Sequence, residues 1–145
     1  MHVSTKGRYG LRVMLDLARQ SGDRPATLKG IAARQALSEK YLWQVIRPLS
    51  AARLITAARG AHGGYRLARP PAEITLKDIF FALEGPCELA PCAASPQECR
   101  RSGACAAQAV WKDLQHVIVT QMRAKTLQAM VESYDTQQSR GTYEI

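Results

Sequence analysis

The chain has 145 residues, of which 46% are apolar, and a formal net charge of +8. This length allows one compact domain with an appendage. The sequence contains no apolar run of the roughly 18 residues that a membrane helix needs, and its first residues lack the apolar stretch of a signal peptide. We therefore expect no membrane partner and a cytoplasmic location, where cysteine clusters more often bind metal than form disulfides.

The positive charge is concentrated in the first half of the chain. Residues 1–70 hold thirteen Lys or Arg against three acids, a net +10, whereas residues 71–145 hold seven against nine, a net −2. The basic half is therefore the candidate partner of a polyanion such as DNA. A solvated basic surface is the alternative that composition alone leaves open.

Apolar residues at helical spacing predict a first helix over residues 6–21, which ends before Pro25. Thr27 is a suitable N-cap for a short second helix. After a short turn, Ser38 is a suitable cap for a third helix over residues 38–52. A short helix, a turn and a second helix in this order are typical of a helix-turn-helix.

The third helix has one apolar and one basic face. Its apolar residues, at three-and-four spacing, are Leu42, Val45, Ile46 and Leu49. The opposite face carries Glu39, Lys40, Trp43, Gln44 and Arg47. Arg47 and Gln44 have donors that suit phosphates or purine edges, and Lys40 suits phosphate. Trp43 is expected either to pack against a neighbouring element or to contact a base or sugar, and Pro48 to bend the helix without ending it.

Residues 54–58 and 64–68 are two strand-like runs around a glycine-rich tip, which predicts a β-hairpin. A hairpin that follows a helix-turn-helix is a wing. Arg59 and His62 near its tip are candidates for the minor groove, whose narrow A·T stretches attract guanidinium groups. The alternative is a hairpin that only completes the domain.

Beyond the wing, Thr75 is expected to cap a fourth helix that ends near Gly85. A long helix is predicted from about Gly103, with an apolar stripe formed by Val110, Trp111, Leu114, Val117, Ile118 and Met122. A stripe of this length outside an already covered domain predicts burial against a second copy of the chain. Thr126 is expected to cap a short last helix over residues 127–132, followed by a polar, frayed tail.

All four cysteines lie in one segment: Cys87, Cys92, Cys99 and Cys105, separated by four, six and five residues. Prolines and Gly103 interrupt this segment and predict an irregular loop, which can surround one inorganic centre with several thiolates. Thiolates in such a loop suit an iron–sulfur cluster or zinc. The Cys-x-x-Cys pair of common zinc sites is absent, but zinc and redox-active or uncommitted thiols stay open as alternatives.

Several motifs occur in the order found in one protein family. They are STKGRYG at residues 4–10, residues 32–49, RGxxGGYxL at 59–67 with ITL at 74–76, and three spaced cysteines before WxxL at 111–114. In these motifs the chain resembles the Rrf-type family of winged-helix transcription regulators that includes IscR, NsrR and RirA. The resemblance implies a mainly α fold with a small β-hairpin, a winged helix-turn-helix domain and a long C-terminal dimerisation helix. It also implies the 2Fe–2S or 4Fe–4S iron–sulfur cluster that controls operator binding in many members.

Carried over residue by residue, the resemblance makes Cys92, Cys99 and Cys105 the cluster ligands. Members of the IscR kind have a histidine ligand where this chain has Gln108. Members of the NsrR kind use an acidic residue where this chain has Arg8.

The fourth ligand of the cluster is open. Cys87, the cysteine outside the family's set of three, is the first candidate. Behind it come Asp16 or His2 of the partner subunit, or a small thiol.

These observations predict a homodimeric transcription regulator, a repressor that binds a double-stranded DNA operator, and no enzyme. Its operator affinity is expected to follow iron, redox or nitric oxide status through the cluster, because the loop sets the separation of the two recognition helices. The alternative is a regulator that uses its cysteines as a thiol switch or zinc site. The predicted segments are a DNA-binding domain at 1–85, a cluster loop at 86–104, dimerisation and short C-terminal helices at 105–135 and a flexible tail at 136–145. The predicted DNA contacts are Lys6, Arg8, Ser38, Lys40, Tyr41, Trp43, Gln44, Arg47, Arg59, His62, Gly63 and Gly64.

Overall fold

A computed structural model describes residues 2–20, 22 and 24–141. The elements in chain order are α1 (Thr5–Arg19), α2 (Leu28–Gln35), α3 (Glu39–Ala51), β1 (Ile55–Ala58), β2 (Gly64–Leu67), α4 (Leu76–Glu84), α5 (Pro91–Ala94), α6 (Ala106–Ala124) and α7 (Leu127–Gly141). Two 3-10 turns lie at Pro71–Glu73 and Pro96–Glu98. The mainly helical fold with a small β-hairpin is confirmed. Within the described residues, no helix has both the length and the apolar character that a bilayer-spanning segment requires.

Short polar side chains fix where the first four helices begin. The predicted caps Thr27, Ser38 and Thr75 each accept a bond from the first turn of the following helix, at donor–acceptor distances of 3.0, 3.1 and 3.2 Å. Thr75 also forms a reciprocal capping box, because Asp78 accepts from the Thr75 backbone N–H at 3.0 Å. Ser4 caps α1 in the same way, through the Gly7 N–H at 3.1 Å. These bonds satisfy donors that a helix start otherwise leaves unpaired.

The two strands form an antiparallel hairpin, the predicted wing. Ile55 lies opposite Leu67 and Ala58 lies opposite Gly64. The connection between α1 and α2 adds a short third edge, because the backbones of Ala26 and Tyr65 exchange bonds of 2.9 and 2.8 Å. The wing is therefore tied to the rest of the domain on both sides.

One hydrophobic core holds the domain together. It contains buried residues from α1, α2, α3, β1, α4 and the connections next to them, among them Val13, Met14, Ile31, Leu42, Val45, Ile46, Leu49, Leu54, Ile55, Ile74, Ile79 and Leu83. Leu127, at the start of α7, belongs to the same core and is 0% exposed. The backbone around it is fixed as well, since Leu127 N–H donates to Ile74 at 2.7 Å and Leu76 N–H donates to Lys125 at 2.8 Å. The C-terminal part of the chain thus completes the core of the N-terminal part.

The C-terminal helix is longer than predicted. The prediction of a short helix over residues 127–132 with a frayed tail is wrong for residues 133–141, because α7 continues to Gly141. Contacts with α1 support the extension: Arg19 pairs with Asp135 at 3.1 Å, and its guanidinium lies 4.7 Å from the ring centre of Tyr134. The predicted tail at residues 142–145 lies outside the described residues.

Two other boundaries differ from the prediction. The first helix ends at Arg19, and the predicted end at Ser21 lies outside the described residues. The long helix begins at Ala106 and not at Gly103, because Gly103 has a left-handed φ of 87° that an α-helix does not admit. The cysteine segment is mostly irregular, as predicted, but contains one turn of helix at α5, which begins with Pro91 at a position that favours proline.

Candidate nucleic-acid interface and cysteine loop

Helix α3 turns its apolar side into the core and leaves its polar side in solvent. Leu42, Val45 and Leu49 are 0% exposed, which fixes the rotation of the helix about its axis. The opposite side presents exposed side chains, namely Lys40, Trp43, Gln44 and Arg47. The helix continues through Pro48 to Ala51, so the proline does not end it, as predicted. This arrangement is that of a helix that can enter a DNA groove with its outer face.

An open groove beside α3 brings four of the predicted contact residues together. It has a volume of about 720 Å³, and its lining includes Lys6 from α1, Trp43, Gln44 and Arg47 from α3, and Tyr65 from β2. Trp43 is 48% exposed, and its ring centre lies 6.4 Å from that of Tyr65. The indole therefore packs on the wing and keeps half of its surface for a ligand. Two cations, an amide and an aromatic face are the groups that contact phosphates and base edges.

Other predicted contact residues have local partners. Ser38 uses its hydroxyl to cap α3. The half-buried Tyr41 ring packs edge-on against Tyr9, with ring centres 5.8 Å apart. Arg8 is exposed, and its Nη2 donates to Thr5 Oγ1 at 3.1 Å. These residues shape the surface around the groove, and direct contact with DNA stays a prediction for each of them.

The wing tip carries Arg59 and His62, which are both exposed. Gly63 and Gly64 next to them have a packing role that sequence reasoning missed. A Cβ on Gly63 would collide with the Ala58 carbonyl, and one on Gly64 with the Ala26 carbonyl. The hairpin and its third edge therefore need two residues without side chains at these positions.

The four cysteines are free thiols and are all half-buried. Cys92 and Cys99 line one cavity of about 300 Å³, together with Ser95 and Glu98. Cys87 lines another cavity, of about 520 Å³, whose wall also includes His2. Cys105 stands at the N-cap of α6. The structure therefore pairs two of the three predicted ligands and places Cys87 with a different set of neighbours.

The donor chemistry fits an iron–sulfur cluster, because soft thiolates on an irregular loop are its usual ligands. Among residues 2–20, 22 and 24–141, however, no three His, Cys, Asp or Glu side chains converge closely enough to hold a metal ion. Asp16 is also engaged within its own chain: its carboxylate accepts from Arg34 at 2.7 Å and from Gln35 at 3.2 Å. The hydrogen bond that Arg34 donates to Asp16 raises the pKa of the Arg34 guanidinium.

Gln108 stands where some family members have a ligand, and the structure gives it another task. Its side chain is 4% exposed, and Nε2 donates to the Cys92 carbonyl at 2.7 Å. Farther along α6, Gln115 Oε1 accepts from the Leu89 N–H at 3.3 Å. Sequence reasoning missed both bonds, although a glutamine among alanines on the inner side of a helix indicates a buried polar partner.

A helix-turn-helix, a wing tied to it and a groove with Lys6, Gln44 and Arg47 define a winged-helix DNA-binding protein. The chain belongs to the Rrf2 family: the family model, described as an iron-dependent transcriptional regulator, matches residues 3–133. The resemblance inferred from the sequence is confirmed.

Similar proteins of known identity agree with this assignment. The chain is 38% identical over 138 residues to the HTH-type transcriptional regulator CymR of Bacillus subtilis (strain 168). This match covers 95% of each protein. The solved structure of CymR, described as the global cysteine regulator of B. subtilis, has a TM-score of 0.78 at 36% identity and covers 92% of this chain and 98% of its own. The structure of T. potens IscR has a TM-score of 0.77 at 38% identity and covers 95% of this chain and 91% of its own. The protein is therefore a DNA-binding transcription regulator and not an enzyme.

Proposed function

We propose that this regulator is a homodimeric, cytoplasmic repressor whose affinity for a double-stranded DNA operator is controlled by an iron–sulfur cluster. Cys92, Cys99 and Cys105 are the proposed ligands. The observation that carries the proposal is the position of the cysteine loop: it follows the winged-helix domain directly and packs on α6, next to the exposed apolar stripe. A change in this loop can therefore act on both the DNA-binding domain and the interface.

The groove beside α3 supports the DNA-binding part. We assign Gln44 and Arg47 to base edges or phosphates and Lys6 and Lys40 to phosphates, because of their donors and exposure. Arg59 and His62 on the wing are assigned to the minor groove or the DNA backbone. In a dimer, two copies of α3 read two half-sites about one helical turn apart.

The exposed stripe on α6 supports the dimer. Val110, Trp111, Leu114 and Val117 are between 42% and 56% exposed, and large apolar side chains in a row at a surface mark an interaction site. A second copy that buries the same stripe forms a symmetric interface. Leu114→Asp is expected to convert the dimer into monomers in sedimentation analysis, while Thr120→Asp on the same helix leaves it intact.

When bound, the cluster supplies a centre that reacts with oxidants and nitric oxide and is lost when iron is scarce. The chain's own residues transmit its state. The loop contacts α6 at Cys92 through Gln108, so a change in loop path shifts α6 and with it the separation of the two recognition helices. Half-sites at a fixed spacing tolerate little error in that separation, which converts a small shift into a change in affinity. Cys87 is the proposed fourth ligand, and it must leave its own cavity to reach the others.

Anaerobic purification with counts of iron and sulfide tests this proposal. The expected result is a brown protein with about two or four irons per chain and matching sulfide, whose operator affinity changes when the cluster is lost. The triple variant Cys92→Ser, Cys99→Ser, Cys105→Ser is the matched control and is expected to be colourless. A colourless wild-type protein that cannot be reconstituted and still binds DNA contradicts the cluster.

A second candidate keeps the DNA binding but makes the cysteines a thiol switch. Two observations favour it: the described residues gather no three metal donors, and CymR, the global cysteine regulator, has a similar fold and 36% identity. Cys92 and Cys99 share one cavity, and Arg100 follows Cys99, so hydrogen peroxide could oxidise this pair to a disulfide with loss of water. Operator binding that responds to peroxide in a metal-free protein supports this candidate.

A further inference from the structure

We propose that Gln108 and Gln115 form a clamp that holds the cysteine loop on α6 in the metal-free protein and limits access to Cys92 and Cys99. The clamp means the two glutamine side chains together with their backbone partners, Cys92 O and Leu89 N. This inference rests on the proposed function only in treating those cysteines as the responsive groups.

Gln108 is the stronger half of the clamp. This residue is buried, at 4% exposure. Its Nε2 reaches Cys92 O at 2.7 Å, while its Oε1 lies 3.5 Å from Ser102 Oγ. The amide therefore contacts the loop on both sides of Cys99. Burying an amide without hydrogen-bond partners costs free energy. The loop therefore stays bonded to Gln108 as long as this side chain is buried.

Gln115 adds a second point of attachment. It lies seven residues after Gln108, two helical turns along the same face of α6. Its Oε1 accepts from Leu89 N–H at 3.3 Å, just before the turn that carries Cys92. Both bonds use backbone groups of the loop. The clamp consequently fixes the backbone on which Cys92 stands without occupying any cysteine sulfur.

The clamp opposes the rearrangement that a three-cysteine site needs. In the metal-free protein Cys92 and Cys99 share a cavity whose lining also includes Glu98, but among the described residues no three metal donors converge closely enough to hold an ion. Movement of the Cys92 backbone away from its present position breaks the bond that its carbonyl accepts from Gln108 Nε2. The clamp therefore sets the cost of loading the site and links that event to α6.

Thiol reactivity in the reduced, metal-free protein tests the clamp directly. Iodoacetamide is added, and alkylation of each cysteine is followed by mass spectrometry. Gln108→Ala is expected to raise the rates at Cys92 and Cys99 by about tenfold, as loss of a buried hydrogen bond frees the loop. Cys87 lies in another cavity and serves as the internal reference, and Gln137→Ala, at an exposed glutamine of α7, is the control.

Isosteric variants separate a hydrogen-bonding role from simple packing. Gln108→Glu removes the donor and is expected to raise reactivity as much as Gln108→Ala. Gln115→Glu keeps an acceptor and is expected to behave as wild type, whereas Gln115→Ala speeds hydrogen exchange at the Leu89 amide by about fivefold or more.

Two outcomes overturn the clamp: wild-type reactivity in Gln108→Glu, or an equal rise at Cys87 and at the other cysteines, which indicates general loosening. Because the assay contains no metal and no DNA, its result is independent of whether the protein holds a cluster. A colourless protein with the expected reactivity pattern refutes the cluster and leaves the clamp standing.

Discussion

Helix α3 and the cysteine loop at residues 86–104 are held in opposite ways. Helix α3 is capped by Ser38 and buries four side chains at 0–1% exposure. The loop contains two helices of a single turn each. Of its residues 86–104, which the structure describes in full, only Ala93 is buried, with 8% of its surface exposed. What keeps the loop in place is a small number of hydrogen bonds, two of them from Gln108 and Gln115.

The difference is one of free energy. Burial of one large aliphatic side chain contributes about 1.5–3 kcal/mol, whereas a typical hydrogen bond contributes about 0.5–1.5 kcal/mol net. Moving α3 therefore means unfolding the domain, but moving the loop means exchanging a few hydrogen bonds. A regulator of this design keeps its DNA-reading surface rigid and confines the change of state to the loop.

The largest expected effect comes from altering the loop alone. Cys99→Ala is expected to abolish the response of operator binding to iron or nitric oxide, because a proposed cluster ligand is lost, while stability changes by no more than about 0.5 kcal/mol. Fluorescence anisotropy with a labelled operator, with and without cluster loading, measures the response. The same result is expected for Cys92→Ala and Cys105→Ala. A variant that responds like wild type removes that cysteine from the site.

A substitution in the core tests how firmly α3 is held. Leu42→Ala is expected to lower the free energy of unfolding by about 2–5 kcal/mol, because Leu42 is 0% exposed and its loss leaves a cavity. Urea denaturation followed by circular dichroism measures the change. Val3→Ala, at a side chain that is 44% exposed, is the control and is expected to cost far less. Equal effects at the two positions would show that α3 is not held by the core.

Arg47 separates reading of DNA from folding. Arg47→Ala is expected to weaken operator binding by about 1–3 kcal/mol if the guanidinium contacts a base edge, without loss of stability, since the side chain is exposed. Binding is measured at two salt concentrations, because a phosphate contact alone lowers the salt dependence. Arg123→Ala in the last turn of α6 is the matched control. An unchanged footprint for Arg47→Ala takes this residue out of the interface.

The smallest expected effect concerns the junction between the two regions. Thr75→Ala removes the capping box of α4 and is expected to cost about 1 kcal/mol of stability. Thermal unfolding measures it, with Thr120→Ala, an exposed threonine of α6, as the control. Because α4 packs on both α1 and α6, a much larger loss would mean that the stability of the DNA-binding domain depends on its contact with α6.

The capped helices α2, α3 and α4 could be predicted because their signals are local. Thr27, Ser38 and Thr75 each precede an apolar pattern, and each caps the helix it was expected to cap. The length of α7 could not be predicted, because its second half is stabilised by a contact between Asp135 and Arg19, which lie 116 residues apart in the chain. Propensity alone gives such a polar segment little helical stability.

In the candidate site, too, some features could be predicted from the sequence and others could not. The outward residues of α3 follow from helical periodicity, and the structure places Trp43, Gln44 and Arg47 in one groove. The attachment of Gln108 to Cys92 depends on the path of an irregular loop, which no periodic pattern encodes. For the same reason the spacing of the cysteines could not indicate that Cys87 and Cys92 lie in different cavities.

The place of Leu127 in the core has a consequence for biosynthesis. A ribosome synthesises the chain from its N-terminus, and a domain completes its fold after its last core residue has emerged. Here the winged domain receives a fully buried residue from α7, which is translated after the whole of α6. A nascent chain therefore finishes its DNA-reading domain only when the segment proposed for pairing has already been made. The winged domain and the helix proposed for pairing are thus completed at the same stage of synthesis.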